Sequence, residues 1–265
     1  MKSIPLFKRY CEFNINGRVL ASPPFTLEFE SEFSINSSTQ TKAVMYNPSD
    51  ETIAACEKKN GNNPLIVIDA GYEEDYGTCV AGEIIKYDVE KKVDKILTMT
   101  IADKTSLWTS ATVNKSWKGS ISAEDVISNI LNELSITPAK IDLGVNKIYS
   151  RGISFSGVSL RTAMKRLEKD TKSSFFFKNG LAYFLKEQSA SSASVFYLSP
   201  ASGLLSAKKT DKGYTVRSLF LYQIGAGSLV EIDGVDVKGL FKVVSGKSRF
   251  SYKGSAGLEF EARKL

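Results

Sequence analysis

The sequence predicts an α+β protein, mainly β, with two small β-barrels flanking a small α+β domain. Three observations carry this. Phe25 to Ile35 (FTLEFESEFSI) alternates between apolar and polar residues, as a half-buried strand does. Residues 122–171 change to helical spacing. After a Ser/Ala-rich segment, short alternating strands punctuated by glycine return and run to the end of the chain.

In chain order, the strand at 25–35 puts Phe25, Leu27, Phe29, Phe33 and Ile35 on one side and an acidic row, Glu28, Glu30 and Glu32, on the other. Tyr46-Asn47-Pro48-Ser49 reads as a turn. A helix of three turns at most follows, capped by Ser49 or Asp50 and ending near Asn60-Gly61. PLIVIDAGY, TCVAGEIIKYDV and KILTMTIAD are β-branched strands and complete a first domain over residues 1–105.

A second domain, 106–186, begins with a helix announced by Ser122-Ala-Glu-Asp125, a capping-box variant, with Val126, Ile127, Ile130, Leu131 and Leu134 on its apolar face. A strand near Gly152 to Phe155 leads to a helix over about 159–171 that buries Leu160, Ala163, Met164 and Leu167. SSFFFKNGLAYFL then places Asn179-Gly180 between two aromatic strands, a hairpin signal. Phe175, Phe177 and Tyr183 are expected on the face under the helices. Residues 187–204, with SASSAS inside, have linker composition. YTVRSLFLY, GSLVEIDGV, GLFKVVSGKSRFSY and GLEFEARKL form the last barrel, 205–265.

Composition narrows the function. The chain has no histidine, which removes the usual general base near neutral pH, the Ser/His and Cys/His nucleophile pairs and the HExxH zinc site. No P-loop, GxGxxG, GxSxG or EF-hand loop is present. Three widely spaced cysteines, Cys11, Cys56 and Cys79, fit neither a disulfide framework nor a CxxC metal pattern and read as free thiols. The expectation is therefore no enzyme, no cofactor and no metal. The acidic group Asp69, Glu73, Glu74 and Asp75 falls in a loop beside Gly71 and Gly77, and is read as solvated rather than as a cation or hydrolase site. No run of eighteen apolar residues occurs, and Lys8 and Arg9 fall where a signal peptide needs apolar residues, so the chain is expected to be soluble and not secreted.

Charge is uneven. Residues 1–110 carry 12 basic and 16 acidic side chains, 111–186 carry 12 and 6, and 205–265 carry 11 and 6. Such asymmetry suits complementary surfaces between subunits or a basic face for nucleic acid, set against lysines simply scattered over the surface. Trp108 and Trp117 flank the boundary of the first two domains and are candidates for filling a domain junction or anchoring a subunit interface.

The order of the pieces resembles the baseplate hub family of phage tails, tailocins and related contractile injection systems. In the first domain the stretch from Tyr46 to Asp103 is similar to the hub and tail-tube pattern of a short helix, a strand ending Ala-Gly-Tyr, and a glycine-containing strand usually reading Phe-x-Gly-x-Ile. Here that strand is Val80-Ala81-Gly82-Glu83-Ile84, with valine for the aromatic, and KILTMTIAD matches the family's long strand ending in Asp. ISAEDVISNILNEL and GISFSGVSLRTAMKRLEKDTKSSFFFKNGLAYFL resemble the inserted α+β unit, of a kind also found in periplasmic domains of secretins. GSLVEIDGVDVKGLFKVVSGKSRFSYKGSAGLEFEAR resembles the second barrel, with Ser248-Arg249 where the family commonly has histidine.

The resemblance implies a non-enzymatic hub made in the bacterial cytoplasm and assembled into a virion tail or tailocin particle. It implies a homotrimer whose two tube-like domains per copy give a pseudo-sixfold ring between the hexameric tail tube protein above and the trimeric spike protein below, among other baseplate proteins. No specific nucleic-acid binding is expected, and DNA passage through the channel is left open. Glu28, Glu30 and Glu32 are candidates for the channel lining or for docking a basic partner. The alternatives are a tail-associated cell-wall hydrolase module, a secretion-system ring component and a nucleic-acid binder.

Overall fold

The computed structural model describes residues 8–265 apart from 38–39, 92, 104, 193 and 212, and the side chains of 105, 106 and 109 are also outside the described set. Residues 1–7 of the opening segment and Ala193 of the Ser/Ala-rich segment therefore lie outside the described residues.

The first β region holds β1 (Arg9–Ile15), β2 (Arg18–Ser22), β3 (Leu27–Ser34), β4 (Gln40–Tyr46), helix α1 (Asp50–Ala55), β5 (Leu65–Tyr72), β6 (Asp75–Lys91) and β7 (Lys95–Ala102). The α+β unit follows as α2 (Thr105–Ser110), β8 (Thr112–Trp117), β9 (Ile121–Ser122), α3 (Ala123–Glu133), β10 (Pro138–Asp142), β11 (Ile148–Tyr149), β12 (Ile153–Ser159), α4 (Leu160–Thr171), β13 (Ser173–Lys178) and β14 (Leu181–Lys186). The last region holds β15 (Phe196–Leu198), β16 (Leu204–Thr210), β17 (Gly213–Ser218), β18 (Leu229–Asp233), β19 (Lys238–Ser251) and β20 (Gly257–Lys264). The fold is α+β and mainly β.

The two β regions share one sheet. Its strand order is β16-β17-β20-β19-β3-β4-β7-β6-β5-β1-β2, with β18 and β15 branching from β19. The joint is the antiparallel pair β3–β19, from Ser34 opposite Ser245 to Glu28 opposite Ser251. Two cores lie along this sheet. Leu20 of β2 and Leu27 and Phe29 of β3 share the first core, so the sheet curls back on itself there. Leu198 of β15 and Leu204 of β16 likewise share the second core with Phe241 and Phe260. β3 serves both: Leu27 and Phe29 enter the first core, while Phe33 packs against the second.

Several expectations shift in detail. Helix α1 ends at Ala55 rather than near Asn60: Ser49 caps it, Cys56 closes it with backbone bonds back to Ile53 and Ala54, and Asn60-Gly61 turns separately with positive φ. An Asn16-Gly17 turn, both residues at positive φ, makes the β1–β2 hairpin, which the alternation reading passed over. YTVRSLFLY is strand only to Ser218, because Phe220 leaves the sheet to fill the first core against Phe29 and Phe250. Inside 187–204, β15 pairs in parallel with β18 and a short 3-10 turn spans Pro200–Ser202, so this stretch is structured despite its composition.

In the α+β unit, α3 and α4 cover β13 and β14, with Phe175, Phe177, Ala182 and Phe184 facing the helices. Tyr183 is not on that face. The two-residue Asn179-Gly180 turn pairs Lys178 with Leu181, which sets Tyr183 opposite Phe176 on the other side of the hairpin. There Phe176, stacked on Tyr183, packs with Leu185, Ile35 and Ala226 and docks the unit onto the sheet.

Candidate functional site

A groove of about 990 Å³ runs along the β3, β19, β20 and β17 face, lined by Glu32, Arg217, Lys247, Arg249, Glu259 and Glu261 among others. Strand pleating builds it: on each strand alternate residues enter a core, and those between them face the groove. One cross-strand row reads Gln40, Glu32, Lys247, Glu259, Arg217 from β4 to β17. The next reads Lys42, Glu30, Arg249. Unlike charges thus stand opposite one another along the face, the favourable arrangement for cross-strand pairs.

The acidic row of β3 is therefore met by a basic row from the end of the chain. Lys247 Nζ lies 2.5 Å from Glu30 Oε1 and 3.3 Å from Glu32 Oε1. Arg249 Nε donates to Glu30 Oε2 at 2.6 Å, and Ser251 Oγ donates to Glu28 Oε1 at 2.8 Å. The hydrogen bond from Lys247, with that from Arg249, holds the Glu30 carboxyl below the usual carboxylate range, and Glu30 in turn raises Lys247. On this side Glu28, Glu30, Glu32, Glu259 and Glu261 face Lys42, Lys247, Arg249 and Arg217, so the two signs are close to balance.

Gly246 sets the close packing behind this groove. A Cβ there would fall 2.6 Å from Phe33 Cζ and 2.7 Å from the Glu259 carbonyl oxygen, so only glycine lets the Phe33 ring lie over β19.

Trp108 and Trp117 both pack within the α+β unit. Trp108 meets Phe175 and Phe177 edge-on at 5.2 and 5.7 Å, and Trp117 meets Phe155 at 6.3 Å with Lys115 over its ring. The structure does not bring them to the groove. The acidic group of 69–75 is divided among separate partners: Glu73 pairs with Lys8 at 2.8 Å, and Asp75 accepts from Gln223 and Tyr222. Among the described residues no group of three or more His, Cys, Asp or Glu is arranged to hold a metal.

Sequence reasoning missed two features. Asp103, buried at the end of β7, accepts from the Gly180 N–H at 2.7 Å and holds the hairpin turn against the first region. Nothing local in the sequence signals that contact. The β3–β19 joint did leave a signal: Glu30 and Glu32, and Lys247 and Arg249, are opposite charges with the same spacing of two.

No family model matches the chain, and no curated protein matches it in sequence. Solved structures do match. A tail protein from Neisseria meningitidis superposes with TM-score 0.72 at 8% identity, covering 97% of each chain. The 43 kDa tail protein of prophage MuSo2 from Shewanella oneidensis gives 0.69 at 10% identity, covering 97% of this chain and 98% of that one. An Escherichia coli type VI secretion component, described as structurally similar to T4 bacteriophage tail proteins, gives 0.65 at 12% identity over 96% of this chain and 76% of that one. The chain has the α+β, mainly β fold of phage tail proteins.

Proposed function

We propose that this chain is the structural, non-enzymatic hub of a phage tail or contractile injection particle, a homotrimer whose two β regions per copy form a pseudo-sixfold ring between tail tube and spike. The observation that carries it is the single sheet running through two cores, with one face carrying cross-strand rows of paired charges. A face of that kind suits a water-filled channel: it stays hydrated, and its balanced charge neither grips nor strongly repels a polyanion in passage. A spike-type partner is supported by the match to a chain of the Francisella PdpA–VgrG complex, with TM-score 0.59 and 12% identity over 98% of this chain and 58% of that one. Assembly follows synthesis in the bacterial cytoplasm.

The test is negative-stain class averaging with light scattering on the same peak, at high protein concentration and with the particle's tube and spike proteins added. A ring with a central hole at three chain masses is expected. A monomer under all these conditions would sink the hub reading.

A further inference from the structure

Between the two cores the inner side of the β3–β19 joint turns polar. Ser31 of β3 lies on the same side as Phe29 and Phe33, yet it stands in a row of hydroxyls, with Thr41 opposite it on one flank and Ser248 on the other. Ser31 is only 4% exposed. Its Oγ accepts from Thr41 Oγ1 at 2.8 Å, which leaves its own proton free to donate, and Ser248 Oγ has no partner among the described residues. Packing between two cores favours apolar side chains at such positions, so hydroxyls there need polar company.

The row borders a cavity of about 40 Å³ where three parts of the chain meet. Ser31 and Ser248 line it from the joint, Lys178 from the tip of the β13–β14 hairpin, and Tyr222 and Gly225 from the segment 220–226. Among the described residues the lining has one cation, Lys178, and no carboxylate. The end of the Lys178 side chain lies along Gly225, where an added Cβ would meet Cε at 3.4 Å and Nζ at 3.6 Å. Its ammonium makes no ion pair or hydrogen bond among the described residues. Two carboxylates bonded to neighbouring groups have other partners: Asp75 accepts from Tyr222 and Gln223, and Asp103 from the Gly180 N–H. Burial alone lowers the Lys178 pKa to about 8, with no carboxylate acting to restore it.

We propose that this cavity binds a small monovalent inorganic anion, chloride by size and charge, held by the Lys178 ammonium and the Ser31 and Ser248 hydroxyls, and that the ion pins the hairpin tip to the β3–β19 joint. Size sets the class of ligand. A water-sized occupant needs roughly 10–15 Å³, so the cavity takes a monatomic ion and excludes sugars, nucleotides and peptides. Charge sets the sign. An ammonium withdrawn from water without an opposite charge is strongly disfavoured, and a water molecule would satisfy the hydroxyls while leaving that charge uncompensated. An anion supplies the charge and accepts both free hydroxyl protons. The site does not depend on the hub reading.

The test uses the full chain in two measurements: anomalous diffraction from crystals soaked in sodium bromide, and urea unfolding in sodium chloride against sodium gluconate at equal ionic strength. A bromide peak between Lys178, Ser31 and Ser248 is expected, with a urea midpoint that climbs with chloride. Above saturation the folded-to-unfolded ratio should rise about tenfold for each tenfold of chloride. Lys178→Met keeps the packing and removes the charge, and should lose both the peak and the chloride-specific gain; Ser248→Ala should need several-fold more chloride for the same gain. A cavity that holds only water, or wild type and Lys178→Met responding alike to chloride, would overturn the site. A bromide peak with no chloride-specific gain in stability would mean an adventitious ion only, and would overturn it too.

Discussion

The α+β unit and the joined sheet build their cores by opposite routes. In the unit, helices and hairpin lie close in sequence: caps at Ser122 and Ser159 start α3 and α4, and the Asn179-Gly180 turn sets the hairpin register. In the sheet, the decisive pairing joins Glu28–Ser34 to Ser245–Ser251, more than two hundred residues away. The first is dictated by local chemistry; the second is held only by what the two strands offer each other. Stability of the sheet should thus be most sensitive at the joint.

The largest effect is expected from Phe250→Ala. Phe250 stacks on Phe29 at 5.8 Å and meets Phe220 edge-on at 5.0 Å, so it ties the last strands to the first core. Its removal should cost about 3–5 kcal/mol by urea unfolding. A loss below about 1 kcal/mol would mean that the first core closes without β19.

Gly227→Ala addresses the contact between unit and sheet. Gly227 has φ +74, and a Cβ there would lie 2.5 Å from Phe176 Cζ. The strained backbone and the displaced ring should cost about 1–3 kcal/mol. Limited proteolysis should then cut first between the α+β unit and β15; unchanged cleavage would show that the Phe176 contact is dispensable.

Lys178, at the hairpin tip, works in the other direction. Burial against the segment near Gly225 lowers its pKa to about 8 from 10.5, so the charged form is penalised in the folded state. The penalty is fully present below pH 8 and is relieved as pH rises toward 10.5, where the unfolded chain also loses its proton. Lys178→Met should stabilise the protein by about 1–3 kcal/mol at pH 7, with the advantage shrinking by pH 10. An advantage independent of pH would point to packing instead of charge.

The smallest effect belongs to the paired charges. Arg249→Gln should cost about 0.2–1 kcal/mol, less in high salt, because the pair with Glu30 is open to water. Glu30 has a lowered pKa when folded, so its contribution is present above the usual glutamate range and is lost as pH falls through its folded value. A loss independent of salt and pH would assign Arg249 a packing role.

What was legible in the sequence follows the same division. Alternation placed β3 and its acidic face, and helical spacing with Ser caps placed α3 and α4. Tyr183 was assigned to the wrong face although the turn length alone fixes it. The continuity of the sheet was not legible strand by strand, because Glu30 and Arg249 each look like ordinary solvated charges until their strands are side by side. For the same reason Asp103, a lone carboxylate at a strand end, gave no hint of the hairpin turn it holds.

Native-state hydrogen exchange at the joint tests the account most directly. If the two regions are one sheet, the backbone amides of Phe29 and Ser31 on β3 and of Ser248 and Phe250 on β19 that bond across the joint should open with one shared free energy, equal to that of global unfolding. If the β19 amides exchange with the second core while β3 stays protected, the regions are two separate bodies in contact, and the continuous charged face does not exist as a rigid surface.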